Sequence, residues 1–134
     1  REKGYSIASY ISPNAVCHSD LGDNCLVADN VVINPFSEIG EDNFFWEFSL
    51  ICNDLKIGDH CYFSPRSVIS SYSVVGDNSV IGTGSIIKAH VKISKRTLVG
   101  AKCYITKDTQ EKSVYGERNS EFLGCVSDKV NVSA

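Results

Sequence analysis

An all-β fold, a parallel β-solenoid with triangular turns, is what this sequence predicts, and three periodicities predict it. Gly22, Gly40, Gly58 and Gly76 fall eighteen residues apart, each opening a polar string such as Gly22-Asp23-Asn24 or Gly58-Asp59-His60. Ser94-Lys95-Arg96 keeps the spacing without the glycine. Every sixth residue from Leu21 through Val27, Ile33, Ile39, Phe45 and Ile51 to Ile105 is large and apolar, fifteen in a row. At a hydrophobic content of 43%, such a run arises by chance about three times in a million in one fixed register. A third row, four residues after each of these, is mostly small, as at Cys25, Ser37, Ser49, Cys61, Ser67 and Ser85.

One bulky and one small inward residue per six describe a short strand and a tight corner, so three hexads close one coil. The aliphatic row fills the prism and the small row fits where the corner narrows. Successive coils then pair through parallel strand hydrogen bonds about 4.8 Å apart. A helix is excluded, because a period of six would carry the apolar row around its surface.

In chain order, residues 1–10 are polar and read as a lead-in from an upstream segment that is missing or removed. Residues 11–20 look like a first coil with its register slipped by two, and the repeat then runs unbroken from 21 to 106. The predicted solenoid is therefore 11–106, about five to six coils. Residues 107–134 lose the period and read as a C-terminal extension, with room for a short helix. The absence of methionine fits a chain cut from a longer protein or freed from a tag.

With 134 residues, 43% hydrophobic and 22% charged, the chain suits one domain and is too apolar for a disordered tail. A net charge of −3 without a basic block argues against a nucleic-acid partner. No stretch approaches the length of a membrane span and no secretory signal opens the chain. Cys25 and Cys61 share a file two coils apart, roughly 9–10 Å, beyond the ~7 Å limit for bridged α-carbons. Cys25, Cys61 and Cys103 therefore read as small core fillers in a reducing compartment, which implies a cytoplasmic protein. Cys52 falls on a corner, and Cys17 and Cys125 lie outside the regular repeat. No CxxC pair exists, so no metal site is expected.

Residues eighteen apart stack into three corner files. On the first corner, Asn24, Asp42, His60, Asn78 and Arg96 hold the place where a left-handed backbone is expected, which makes His60 a turn residue. The second corner stacks Asn34-Pro35-Phe36, Cys52-Asn53-Asp54, Ser70-Ser71-Tyr72 and Lys88-Ala89-His90. The third shrinks along the chain from Trp46 to Ser64, Gly82 and Gly100. Such a row either admits an elongated ligand along the axis or merely suits tight corners. Trp46 and Phe48 are expected to point outward.

The repeat over residues 21–106 resembles the hexapeptide repeat of the left-handed parallel β-helix, and the left hand is implied by that resemblance alone. Most such solenoids are acyltransferases that use acetyl-CoA or an acyl carrier protein and act as homotrimers. More narrowly, several strings are similar to those of bacterial sugar acetyltransferases. They are Gly4-Tyr5 with Ser9-Tyr10-Ile11-Ser12-Pro13, Leu50-Ile51-Cys52-Asn53-Asp54-Leu55-Lys56-Ile57-Gly58, Val80-Ile81-Gly82-Thr83-Gly84-Ser85, and Val99-Gly100-Ala101 followed by Ile105-Thr106-Lys107-Asp108. That group includes the N-acetyltransferase of the bacillosamine pathway and sialic-acid O-acetyltransferases, in which a small nucleotide-sugar-binding domain precedes the solenoid.

The resemblance implies an acetyl-CoA-dependent acyltransferase of bacterial polysaccharide biosynthesis, acting without a metal on a nucleotide-linked sugar. The family's catalytic His-Glu pair corresponds to Asn53 and Asp54, a departure, since a carboxamide cannot accept a nucleophile's proton. An unperturbed aspartate, with a pKa of ~3.9, is a weak base. An amine nucleophile eases the difficulty because its free base already carries a lone pair, so N-acetylation of an amino sugar is favoured over O-acetylation. Asn53 would then orient the acceptor or hydrogen-bond the tetrahedral intermediate. The alternative is a catalytically degenerate trimeric module with a structural or regulatory role. Acetyl-CoA positions correspond to Tyr62, Thr83 and Ala101, with Gly82 and Gly100 as small neighbours, and Tyr62 replaces the family's usual histidine. Lys102 and Lys107 are candidates for the CoA phosphates. Trp46 and Phe48 would serve as a trimer contact or a sugar-stacking platform, the contact being preferred. Val114-Tyr115-Gly116-Glu117-Arg118-Asn119 stands where the family often has a Gly-x-Pro-Ala-Lys motif. A γ-class carbonic anhydrase shares the fold, but His18, His60 and His90 do not share a corner to bind zinc.

Overall fold

The computed structural model describes residues 2–124, 126 and 128. Seventeen two-residue strands run from Tyr10–Ile11 to Val114–Tyr115, and no α-helix occurs among the described residues. Every strand pair is parallel, and the strands make three sheets of seven, six and four. The first face holds Leu26–Val27, Phe44–Phe45, Tyr62–Phe63, Val80–Ile81 and Leu98–Val99, the second Val32–Ile33 through Tyr104–Ile105, and the third Glu38–Ile39 through Lys92–Ile93. Consecutive hexads visit the three faces in turn, so the chain winds as a triangular solenoid.

The register is eighteen residues through the body, as in Phe44↔Tyr62 and Ile51↔Ile69. Tyr10↔Leu26 and Val16↔Val32 are sixteen apart, which is the slip of two expected of the lead-in coil. Leu98↔Val114 has the same sixteen-residue offset. The segment after 106, read from sequence as an extension, thus adds one more strand to the first face. Cys125, residue 127 and residues 129–134 of that segment lie outside the described residues.

Burial follows the six-residue row. Fourteen of its fifteen residues are buried and Leu21 is half-buried. Phe45 and Phe63 stack in the prism with ring centroids 4.8 Å apart and planes 7° apart. The small row is also interior, Ser37 alone being half-buried, and its frequent serines have a structural reason. A corner carbonyl and the next coil's amide would otherwise be buried without partners. Ser37 Oγ donates to Cys52 O and accepts from Leu55 N, Asn43 bridges Gly58 O and Cys61 N, and Ser85 bridges Gly100 O and Cys103 N. Each such side chain clips one coil to the next.

The left-handed residue expected on the first corner is present at Asn24, Asp42, His60, Asn78 and Arg96, and its equivalents recur on both other corners. Asn30, Phe48, Arg66, Gly84 and Lys102 supply it on the third corner, and Phe36, Asp54, Tyr72 and His90 on the second. Gly82 has a packing reason instead: an added Cβ would stand 2.4 Å from the Gly100 carbonyl carbon. Close coil stacking therefore accounts for that small residue without a ligand. Trp46 departs from its expected outward pose. It lies half-buried against the core, with its indole Nε1 buried and unpartnered among the described residues. Cys17, Cys25, Cys52, Cys61 and Cys103 are all free thiols.

Two measurements check this core. Phe63→Ala removes half of the stacked pair and should cost about 3–5 kcal/mol of unfolding free energy in denaturant titration. Burial pushes the Cys61 thiol up from 9.0 to about 11. Because the folded value is the raised one, this contribution is complete below pH 9 and is lost as pH rises to 11. Between those limits the protein should lose about 3 kcal/mol of stability to this group, and Cys61→Ala should flatten that alkaline decline.

Candidate functional site

Asn53 and Asp54 lie on the second corner, where the chain turns from Leu50–Ile51 on the second face to Lys56–Ile57 on the third. Asp54 takes the left-handed conformation that closes the turn, with φ of 57°. Asn53 Nδ2 donates to Asp54 Oδ2 at 2.5 Å, and Ser71 Oγ, one coil along, donates to Asn53 Oδ1 at 2.8 Å. Since a carboxylate only accepts, the carboxamide nitrogen must face Asp54, and the amide is held in one orientation. One Asn53 N–H and Asp54 Oδ1 have no partner among the described residues. Burial raises the neighbouring Cys52 thiol, which argues against a thiolate nucleophile here.

The predicted cofactor residues sit elsewhere. Gly82-Thr83 and Gly100-Ala101 occupy the third corner on successive coils, with Thr83 and Ala101 exposed. Lys102 N donates to Thr83 O at 2.8 Å, fixing their stacking. Tyr62 lies on the first face beside that corner, 40% exposed, with its ring 6.1 Å from Trp46. The second face separates the two groups within one chain. Asn53 and Asp54 are thus brought together with each other and not with Tyr62, Thr83 or Ala101. Lys102 and Lys107 are exposed, Lys102 on the third corner and Lys107 beside a concavity lined by Tyr104, Thr106, Asp108 and Tyr115.

Other polar clusters are ladders between coils. His60 Nδ1 lies 3.1 Å from Asp42 Oδ2, and Asn24 Nδ2 donates to Asp42 Oδ1 at 2.7 Å. Asp77 accepts from Asp59 N and pairs with Lys95 at 2.9 Å, a contact that lowers its carboxyl. A shallow groove of about 440 Å³ runs along the third face past Glu38, Lys56 and Asp77, away from both candidate corners.

One feature of the sequence was missed: the residue before each inward aliphatic. On the first face these outward residues are Tyr10, Leu26, Phe44, Tyr62, Val80, Leu98 and Val114, and on the second Val16, Val32, Leu50, Val68, Ile86 and Tyr104. All are apolar or aromatic. The third face shows Glu38, Lys56, Val74 and Lys92 instead. Reading six-residue columns one position upstream would have found this asymmetry.

Residues 54–89 match the family model described as the hexapeptide repeat of succinyl-transferase. A comparison with curated proteins finds no match. PerB from Caulobacter crescentus, solved with CoA and GDP-perosamine, superposes with a TM-score of 0.81 at 27% identity, over 84% of this chain and 56% of its own. A histidine-to-asparagine variant of perosamine N-acetyltransferase from the same organism, in complex with the same two molecules, gives 0.80 at 27% identity over 84% and 55%. The acetyltransferase domain of PglB from Neisseria gonorrhoeae shares the fold, with a TM-score of 0.80 at 19% identity over 83% and 55%. The chain spans about half the length of these structures. Their likeness agrees with the sequence resemblance to hexapeptide-repeat sugar acetyltransferases.

Proposed function

We propose that this chain is the solenoid part of an acetyl-CoA-dependent acyltransferase that acetylates the amino group of a nucleotide-linked sugar. The observation that carries this reading is the likeness to PerB, whose structure holds CoA and GDP-perosamine. Asn53 and Asp54 form the reacting corner, and Tyr62, Gly82, Thr83, Gly100 and Ala101 line the acetyl-CoA groove. No metal takes part. The free amine attacks the thioester carbonyl carbon, forming the C–N bond as the carbonyl oxygen becomes an oxyanion. Collapse breaks the C–S bond, and the departing CoA thiolate takes the ammonium proton. The uncommitted Asn53 N–H is a donor for the oxyanion, and Asp54 Oδ1 accepts from the amine and aims its lone pair. No step needs a histidine, so an amine is preferred to a hydroxyl. The histidine-to-asparagine variant seen with both ligands is consistent with binding that survives such a replacement.

The working assembly is a homotrimer in the cytoplasm. Two different apolar faces on one protomer suit a ring closed by heterologous contacts, in which one face meets the other face of the next copy. The resemblance implies that in the trimer the acetyl-CoA groove of one chain faces the second corner of its neighbour, joining the two halves of the site. The one observation favouring the alternative, a degenerate trimeric module with a structural or regulatory role, is Asn53 itself.

Thiol release from acetyl-CoA, assayed with nucleotide-linked 3-amino and 4-amino sugars and their hydroxyl counterparts, separates these readings. Turnover is expected with an amino sugar only, and Asn53→Ala should lower kcat about 10²-fold. Saturable CoA binding without thiol release for any acceptor identifies the degenerate module. For the assembly, Leu98→Lys with Ile86→Lys should convert a species of three-chain mass to a monomer in sedimentation, with the β circular dichroism retained. Lys92→Ala on the charged face should leave the mass unchanged.

A further inference from the structure

The second corner carries more than the Asn53–Asp54 pair. Its left-handed positions are Phe36, Asp54, Tyr72 and His90, with φ of 67°, 57°, 63° and 63°. The first corner fills the same position mainly with Asn and Asp, the residues that tolerate it best, and the third places a single aromatic there, Phe48, against three rings on the second. An aromatic ring there is a strained choice that closing the turn does not require. These rings do not serve the core either, since Phe36 is 79% and Tyr72 is 55% exposed. Tyr72 stacks on His90 with centroids 5.0 Å apart and planes 11° apart, a flat two-ring shelf. Phe36 stands one coil before Asp54 and Tyr72 one coil after it. The rings therefore flank a polar centre made of Asn53, Asp54 and Ser71, whose internal hydrogen bonds leave an amide N–H and a carboxylate oxygen unused.

An apolar ring edge on each side of a donor and an acceptor fits a particular ligand chemistry. A pyranose presents C–H groups from its ring face and hydroxyl or amino groups from its rim, so it can stack and hydrogen-bond at once. An aminated nucleobase edge also donates to a carboxylate, but it offers two flat faces and no aliphatic C–H groups, whereas a sugar puts C–H groups against rings on either side while its rim amine meets Asp54. We propose that Phe36 and the Tyr72–His90 shelf bracket the amino-sugar ring of the acceptor and present its amine to Asn53 and Asp54. This rests on the acyltransferase reading above and names the acceptor subsite within it.

The test is a binding measurement that needs no turnover. Saturation-transfer NMR, with irradiation of the protein's upfield methyl resonances, where no ligand proton absorbs, is run on the whole chain with nucleotide-linked 2-amino, 3-amino and 4-amino sugars, and with the free nucleotide. Saturation is expected on the pyranose C–H protons of an amino sugar, with no comparable signal for the free nucleotide. Tyr72→Asn and Phe36→Asn place a residue that tolerates the left-handed turn, so their Tm should be unchanged or higher. Each should nonetheless weaken sugar binding tenfold or more while acetyl-CoA binding is retained. The proposal is overturned if no amino sugar binds, if saturation falls on the nucleobase instead, or if both variants bind the sugar as the parent does. Ring-dependent sugar binding without thiol release would sink the transferase reading and leave this subsite standing. Turnover whose acceptor KM ignores both variants would do the reverse.

Discussion

Every arrangement described here depends on the parallel hydrogen-bond ladder that fixes each coil eighteen residues from the next. The ladder holds only if inward residues recur without a change of phase, because a slip of one residue would turn the aliphatic row outward. Phe45 above Phe63, or Ser71 above Asn53, are consequences of that phase. The ladder is reinforced at the corners, where Ser37, Asn43 and Ser85 join a carbonyl of one coil to an amide of another. Much of the interior polarity in this solenoid is thus a fastening device, although Ser49 Oγ, Ser67 Oγ and Trp46 Nε1 are buried without a partner among the described residues.

The ladder also restricts where chemistry can sit. Inward positions are packed and strand positions alternate in and out, so corners are the places where side chains of several coils converge on solvent. The three corners have taken different characters from the same backbone geometry. The first is a ladder of Asn, Asp, His and Lys that ties its own coils together. The third narrows along the chain from Trp46 through Ser64 to Gly82 and Gly100, partly because stacking leaves no room for a Cβ at Gly82. The second combines strained aromatics with a fixed amide and carboxylate. One protomer keeps the second and third corners on opposite edges of a face, whose outward row is apolar.

Asn53 is the residue on which the functional interpretation turns. A histidine there would take a proton from a hydroxyl or an amine alike, whereas a carboxamide held by Ser71 and Asp54 can only orient and donate. Under the proposed function, an asparagine at this position is therefore either a loss of function or a narrowing to acceptors that are strong nucleophiles without losing a proton first. Its hydrogen bonds to Asp54 and to Ser71 of the next coil hold the amide in one orientation, as other corner side chains are held between coils.

The sequence by itself determined the period, the inward rows and the first-corner turn residues, because a solenoid's contacts are set by spacing along the chain and each coil meets only its neighbours. It also located Asn53 and Asp54 on one corner. What it left undecided involved directions and distances that spacing does not encode. Trp46 folds back onto the core, Val114–Tyr115 adds a strand beyond the repeat, Gly82 answers to backbone contact, and Tyr72 lies flat on His90. These follow from side-chain rotamers and from how closely coils approach in three dimensions. The asymmetry between two apolar faces and one charged face lay in the sequence all along, but it acquires meaning only once the strands are assigned to their sheets.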